Sequence, residues 1–267
     1  MATYLDEILV AHRHAAEQDE RDLADLERAA RSATAPRSLS DALRTPGLSV
    51  IAEIKRRSPS KGPLALDLDP VHLARSYEGS GAAALSVLTD HDFFGGSFDD
   101  LALAREATSI PVLRKDFTVS LRDVFDARAK GADALLLIVA ALDDRELGEF
   151  HREAIDLGLD VLVEVHDDDE LERALRIGAT LIGVNQRDLR TFEVDTERAA
   201  RMIASFPPEV IAVAESGVSS ADDASRLASI GFDAVLVGEH LVTATAVGTT
   251  LRALVGHEVG ERPSVRR

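Results

Sequence analysis

A chain of 267 residues with 45% hydrophobic and 29% charged residues can bury a full core, which excludes disorder and a minimal stapled scaffold as starting points. It has no Cys, so disulfides, thiolate metal sites and a Cys nucleophile are ruled out, and its formal net charge of -17 argues against nucleic acid as a partner. It has no signal-like leader and no apolar stretch near the ~18 residues that span a bilayer, so a cytoplasmic protein with no membrane partner is expected.

At the N-terminus, "TYLDEILVAHRHAAEQDERDLADLERAARS" offers Thr3 as a cap, acids in the first turn, and Leu5, Ile8, Leu9, Leu23 and Leu26 as an apolar stripe. The pattern predicts one or two helices within residues 1–47, packed on the body that follows. His12 and His14 are read as surface residues. The eight His of the chain are scattered, and no metal site is expected.

Eight apolar runs then follow between residues 48 and 238: "LSVIAEIK", "AALSVL", "IPVLRKDF", "ADALLLIV", "LDVLVEV", "TLIGVN", "VIAVAESG" and "DAVLVG". Five are introduced by a Gly that closes a helix-like segment, at Gly81, Gly131, Gly158, Gly178 and Gly231. The reverse junctions carry helix starts, as in "HDDDELERALRIG" and "VSSADDASRLASIG", with Asp or Ser caps before Leu and Ile at helical spacing. Strands that alternate with helices must run parallel, and buried parallel strands are continuously apolar. Eight such units match a (β/α)8 barrel of roughly 250 residues. The open doubly wound sheet is the alternative, but no G-x-G-x-x-G follows an early strand. The expectation is an α/β fold, a (β/α)8 TIM barrel over residues 48–255 with an N-terminal helical extension over 1–47. Residues 256–267 are expected to be a flexible tail, and the whole to be a single domain.

In such a barrel the chemistry collects where strands run into the following loops. Those ends carry Glu53 and Lys55, Thr89 and Asp90, Lys115 and Asp116, Glu164, Asn185 and Arg187, Glu215 and Ser216, and Gly238 and Glu239. A lone polar residue at a strand end is commonly a cap. Here Glu53, Lys55, Lys115, Glu164 and Asn185 interrupt or end apolar strands and would converge on one mouth. Only four of the 30 basic residues are Lys: Lys55, Lys61, Lys115 and Lys130. Lys, unlike Arg, can trade protons, so two lysines at strand ends beside acids suggest acid–base work. Lys130, at a helix end, is read as a surface residue.

"AESGVSSADD" and "LVGEHLV", at the last two ends, place Gly217 and Gly238 where backbone N–H groups can face an anion, so a phosphate site is expected there. The basic stretch "IAEIKRRSPSKG", residues 51–62, then falls into place. It is the first strand and its loop, with Ser60 and Gly62 as turn residues, and it borders the eighth strand. A cationic flap there would attract and cover an anionic substrate. No G-x-S-x-G elbow or P-loop occurs, and no cofactor is expected.

The segments "YLDEIL", "VIAEIKRRSPSKG", "SVLTDHDFFGGS", "PVLRKDF", "GADALLLIVAAL", "LVEVH", "IGVNQRDLRTFEVD", "IAVAESGV" and "DAVLVGEHLV" resemble, in order, the indole-3-glycerol-phosphate synthase family. The resemblance runs from residue 4 to about residue 242. Gln186 falls between matched residues and is taken to be of little consequence. The resemblance implies a lyase of tryptophan biosynthesis acting on a phosphorylated small molecule; a monomer is expected, with a homodimer as the alternative. It implies Lys115 as general acid, Lys55 and Arg187 on the substrate carboxylate, and Glu164, Glu53 and Glu215 in the proton-transfer cluster with Asn185 as orienter. It also implies a ring pocket of Phe94, Phe117, Leu136 and Leu189, and a phosphate cradle of Ser58, Ser216, Gly217, Gly238 and Glu239. Another phosphosugar barrel enzyme and a non-catalytic phosphometabolite binder remain the alternatives.

Overall fold

The computed structural model describes residues 3–59 and 61–262; residues 1 and 2, Ser60 and residues 263–267 lie outside the described residues. Eight strands form the centre: β1 (Ser49–Ile54), β2 (Ala84–Leu88), β3 (Val112–Lys115), β4 (Ala134–Ile138), β5 (Asp160–Val165), β6 (Leu181–Asn185), β7 (Ile211–Glu215) and β8 (Ala234–Val237). Each pairs in parallel with the next, and β1 pairs with β8 at Ser49↔Ala234 to Ala52↔Val237, closing a TIM barrel. The helices α1 (Tyr4–Glu17), α2 (Leu23–Ser32) and α3 (Leu39–Leu43) precede it. After β1 to β7 come α4 (Pro70–Glu78), α5 (Phe98–Ala107), α6 (Leu121–Ala129), α7 (Asp144–Asp156), α8 (Asp168–Arg176), α9 (Arg198–Met202) and α10 (Ala221–Ser229), one per strand. Two short helices, α11 (Glu239–Val242) and α12 (Val247–Arg252), follow β8.

The strands are apolar along their length because both faces are covered. β1, β2, β4, β6, β7 and β8 are buried at every position, one face toward the barrel axis and the other beneath the helices. Helix ends follow the local chemistry. Thr3 and Asp6 form a reciprocal capping box on α1, Asp167 caps α8, and Ser220 caps α10. The five recurring glycines all adopt positive φ, from 81° to 101°, which ends each helix and turns the chain into the next strand.

The extension wraps the barrel from mouth to floor. On α1, Arg13 bridges to Glu146 at 2.8 Å and to the Ala141 carbonyl at 2.9 Å. α2 packs against α6, and Arg128 of α6 donates to the carbonyls of Ala33 and Thr34. At the floor, the Arg37 amide donates to Asp133 and the Ser40 hydroxyl to Asp160. The C-terminal stretch differs from the free tail expected from residue 256. The Leu48 amide donates to the His257 carbonyl at 2.7 Å, and Arg262 bonds the carbonyls of Pro207, Val210 and Gly231 and the Asp233 carboxylate. Guanidinium donors that meet several carbonyls hold this stretch down as far as Arg262, and Val259 packs against the core beside them.

Candidate active site

The C-terminal ends of the strands surround a cavity of about 500 Å³. All the site residues expected from the sequence border it: Glu53, Lys55, Ser58, Phe94, Lys115, Phe117, Leu136, Glu164, Asn185, Arg187, Leu189, Glu215, Ser216, Gly217, Gly238 and Glu239. Strand register brings them together. Asn185 lies opposite Glu215 and Gly183 opposite Glu164, so β5, β6 and β7 present their polar ends at one level.

At the centre, the Lys115 ammonium is 3.0 Å from Glu164 Oε2 and 3.3 Å from Glu215 Oε2. Glu164 also accepts from the Asn185 amide at 3.1 Å, and His166 Nε2 is 3.5 Å from its other oxygen. Burial disfavours the charge on Lys115, but Glu164, Glu215 and Glu53 outweigh it and raise its pKa above the ordinary lysine value. Glu164 moves the other way: burial opposes its charge, and Lys115, His166 and Asn185 overcome that and hold it ionised. Two carboxylates beside one ammonium cannot both be compensated. Burial, together with the Glu164 charge and against the pull of Lys115, pushes Glu215 up to about 8. In neutral solution the trio is therefore one ammonium, one carboxylate and one carboxylic acid.

Gly183 makes this crowding possible. A Cβ there would run into the Glu215 carboxylate and lie 3.3 Å from Leu162. Gly183→Ala is expected to displace Glu215 from Lys115 and to destabilise the barrel by about 1–3 kcal/mol, as overpacking does. A denaturant midpoint equal to that of the parent protein would count against the close fit.

The neighbouring elements supply the rest of the wall. Lys55 pairs with Glu53 at 2.6 Å, and its Nζ lies beside Gly238, so this cation also borders the end expected to hold phosphate. The loop after β1 makes a two-residue hairpin, Arg57–Ser58 against Gly62–Pro63, and Lys61 reaches Glu239 at 2.5 Å across the mouth. Arg56 ties the same loop to Asp100 at 2.8 Å. Ser216 sits at φ 64°, a left-handed conformation uncommon for a non-glycine residue. Its hydroxyl donates to the Asn185 side-chain oxygen at 2.9 Å, and its carbonyl accepts from Gln186 at 2.7 Å. Gln186, expected to be of little consequence, is thus a buried brace that holds the strained turn after β7.

Several contributors escaped the sequence. Tyr4, Leu5 and Ile8 of α1 line the cavity, as do Phe192 and Val194 of the loop after β6. The apolar stripe of α1 was visible, but a helical period does not say what it covers. His12 is not a surface residue: its Nε2 bonds Asp90 at 2.8 Å and lies 3.9 Å from Asp116. Its distance in sequence from both acids left no signal.

A family model described as indole-3-glycerol phosphate synthase matches residues 5–254. A protein of Mycolicibacterium gilvum named indole-3-glycerol phosphate synthase is 49% identical over 98% of this chain and 97% of its own length. One of Streptomyces coelicolor named indole-3-glycerol phosphate synthase 2 is 52% identical over 88% of this chain and 92% of its own. Among solved structures, 3-hexulose-6-phosphate synthase from Salmonella typhimurium superposes with a TM-score of 0.61 at 14% identity, covering 78% of this chain and 96% of that one. That likeness concerns the fold alone.

Proposed function

The chain belongs to the indole-3-glycerol phosphate synthase family, and from that membership we propose how its barrel mouth carries out the reaction. The enzyme is a lyase of tryptophan biosynthesis. It closes the indole ring of 1-(2-carboxyphenylamino)-1-deoxyribulose 5-phosphate with loss of carbon dioxide and water. The observation that carries the assignment of roles is the Lys115 ammonium held between Glu164 and Glu215, at the base of a cavity with apolar walls on one side and glycine-rich strand ends on the other.

The ring carbon that bears the carboxylate attacks the ketone carbon, and Lys115 delivers its proton to the oxygen as it becomes an alkoxide. The raised pKa keeps that proton loaded at neutral pH, and an alkoxide is basic enough to take it. Carbon dioxide then leaves and the ring regains aromaticity. The new hydroxyl departs as water on a proton from the Lys55 ammonium, and loss of a proton from the adjacent carbon to the Glu164 carboxylate completes the indole. Glu164 and Glu53 handle the proton transfers of this dehydration, Glu215 sets the charge around Lys115, and Asn185 orients the substrate. Lys55 and Arg187 hold the substrate carboxylate. Phe94, Phe117, Leu136 and Leu189 enclose the ring and desolvate the carboxylate before it leaves. Ser58, Ser216, Gly217, Gly238 and Glu239 receive the phosphate, with orphan backbone N–H groups at the start of α11 among the donors.

The extension (1–47), barrel (48–255) and tail (256–267) are read as one domain, acting as a cytoplasmic monomer, with a homodimer as the alternative. Among the described residues no helix is long and apolar enough to cross a membrane. Incubating purified protein with the carboxyphenylamino-deoxyribulose phosphate is expected to produce indole fluorescence at a rate proportional to enzyme. Binding of that compound with no indole formed would instead support a phosphometabolite binder.

A further inference from the structure

On α1, His12 follows Leu5 and Ile8 at a spacing that puts all three on the face turned to the barrel mouth. Its partners are carboxylates that organise the ring pocket. Asp90 Oδ1 accepts the amides of Phe93 and Phe94 at 2.6 and 3.1 Å, while Oδ2 meets His12. Asp116 Oδ1, facing the imidazole, accepts the Phe117 amide at 2.8 Å, and Oδ2 takes Thr89 and Arg114. The imidazole also lies against the aromatic rings themselves, with its centroid 5.4 Å from Phe117 and 6.5 Å from Phe93.

We propose that His12 is a positioning residue for the ring pocket: by bridging Asp90 and Asp116 it fixes the loops after β2 and β3, which carry Phe94 and Phe117. This rests on the reading that those two rings hold the substrate's aromatic ring. The same three side chains lie close enough together to suggest a cation site. Three of their four carboxylate oxygens, however, are already taken up by backbone N–H groups, Thr89 and the Arg114 guanidinium, and the fourth, Asp90 Oδ2, meets His12, so the cluster is an ion-pair bridge.

The bridge depends on pH. The groups facing the imidazole are Asp90 from the loop after β2, Asp116 after β3, and Asp123 of α6, with Arg114 on the far side of Asp116. Burial works against the imidazolium, but these acids overcome it and raise the His12 pKa above its ordinary value. Below that pKa the ring carries the charge that draws in Asp116. Above it, one hydrogen bond to Asp90 remains and the pull on Asp116 is gone. The stability His12 contributes is accordingly complete below its unfolded pKa and lost as pH rises through the folded one. KM for the substrate is expected to rise with it, kcat following its own profile.

The test is to measure kcat and KM from pH 6 to pH 9 for the parent enzyme, His12→Gln and His12→Leu. The parent KM should climb about fivefold across the imidazole range. His12→Gln, which keeps a donor toward Asp90 but does not titrate, should lose the rise in KM that the parent shows across the imidazole range. His12→Leu should show a KM raised about five- to tenfold at pH 6.5, with kcat within twofold. Anthranilate binding, followed by its fluorescence over the same pH range, reads the pocket without turnover. A protein that binds anthranilate with this pH dependence but forms no indole would sink the assignment of activity and leave the His12 bridge standing. If the parent and His12→Gln share one pH profile in both measurements, the bridge has no such role.

Discussion

Lys115→Arg is expected to lower kcat by about 10²–10⁴-fold, the range lost when a positioned proton donor is removed. The substitution keeps a cation between Glu164 and Glu215, so the buried carboxylates stay paired and the barrel should fold. What it removes is the ability to release a proton, since guanidinium does not deprotonate in this range. Substrate affinity should change far less than kcat, because charge and approximate volume are retained. The alkaline limb of the pH profile belongs to the same cluster. Glu215 is protonated below about 8. Once it ionises, a second negative charge beside the ammonium makes Lys115 a weaker acid, so kcat in the parent enzyme should fall as pH rises through about 8.

Glu164→Gln is the second large effect, with an expected kcat loss of about 10²–10⁴-fold. The amide can keep a hydrogen bond with Asn185, so local geometry survives while the ionised base is lost. Its charge also helps to raise Glu215, after burial itself, so the alkaline limb should move to lower pH in the variant. Steady-state rates and pH profiles of the two proteins check both points. Unchanged turnover would remove Glu164 from the chemistry.

The fold and the site were legible to different depths. Gly81, Gly131, Gly158, Gly178 and Gly231 marked helix-to-strand junctions because only a left-handed turn lets a helix stop there, and that signal is local. Once the strands were placed, their ends named the charged cluster, since barrel closure brings every strand end to one mouth. Contacts between segments far apart in sequence, set by packing, were not legible. The cover that α1 forms over the mouth, with Tyr4, Leu5 and Ile8 in the cavity wall, depends on where the extension docks. His12 meets Asp90 across 78 positions, and Gln186 braces Ser216 across 30, with no motif to announce either. Arg262 holds the C-terminal stretch through carbonyl acceptors, which composition does not reveal.

The most direct measurement of Lys115 as proton donor is single-turnover release of labelled carbon dioxide from substrate labelled at the carboxyl carbon, in the parent enzyme and in Lys115→Arg. The parent should release the label and form indole together. Lys115→Arg should bind the substrate and release label at about one-hundredth of that rate or less. Release by Lys115→Arg within tenfold of the parent would contradict the account.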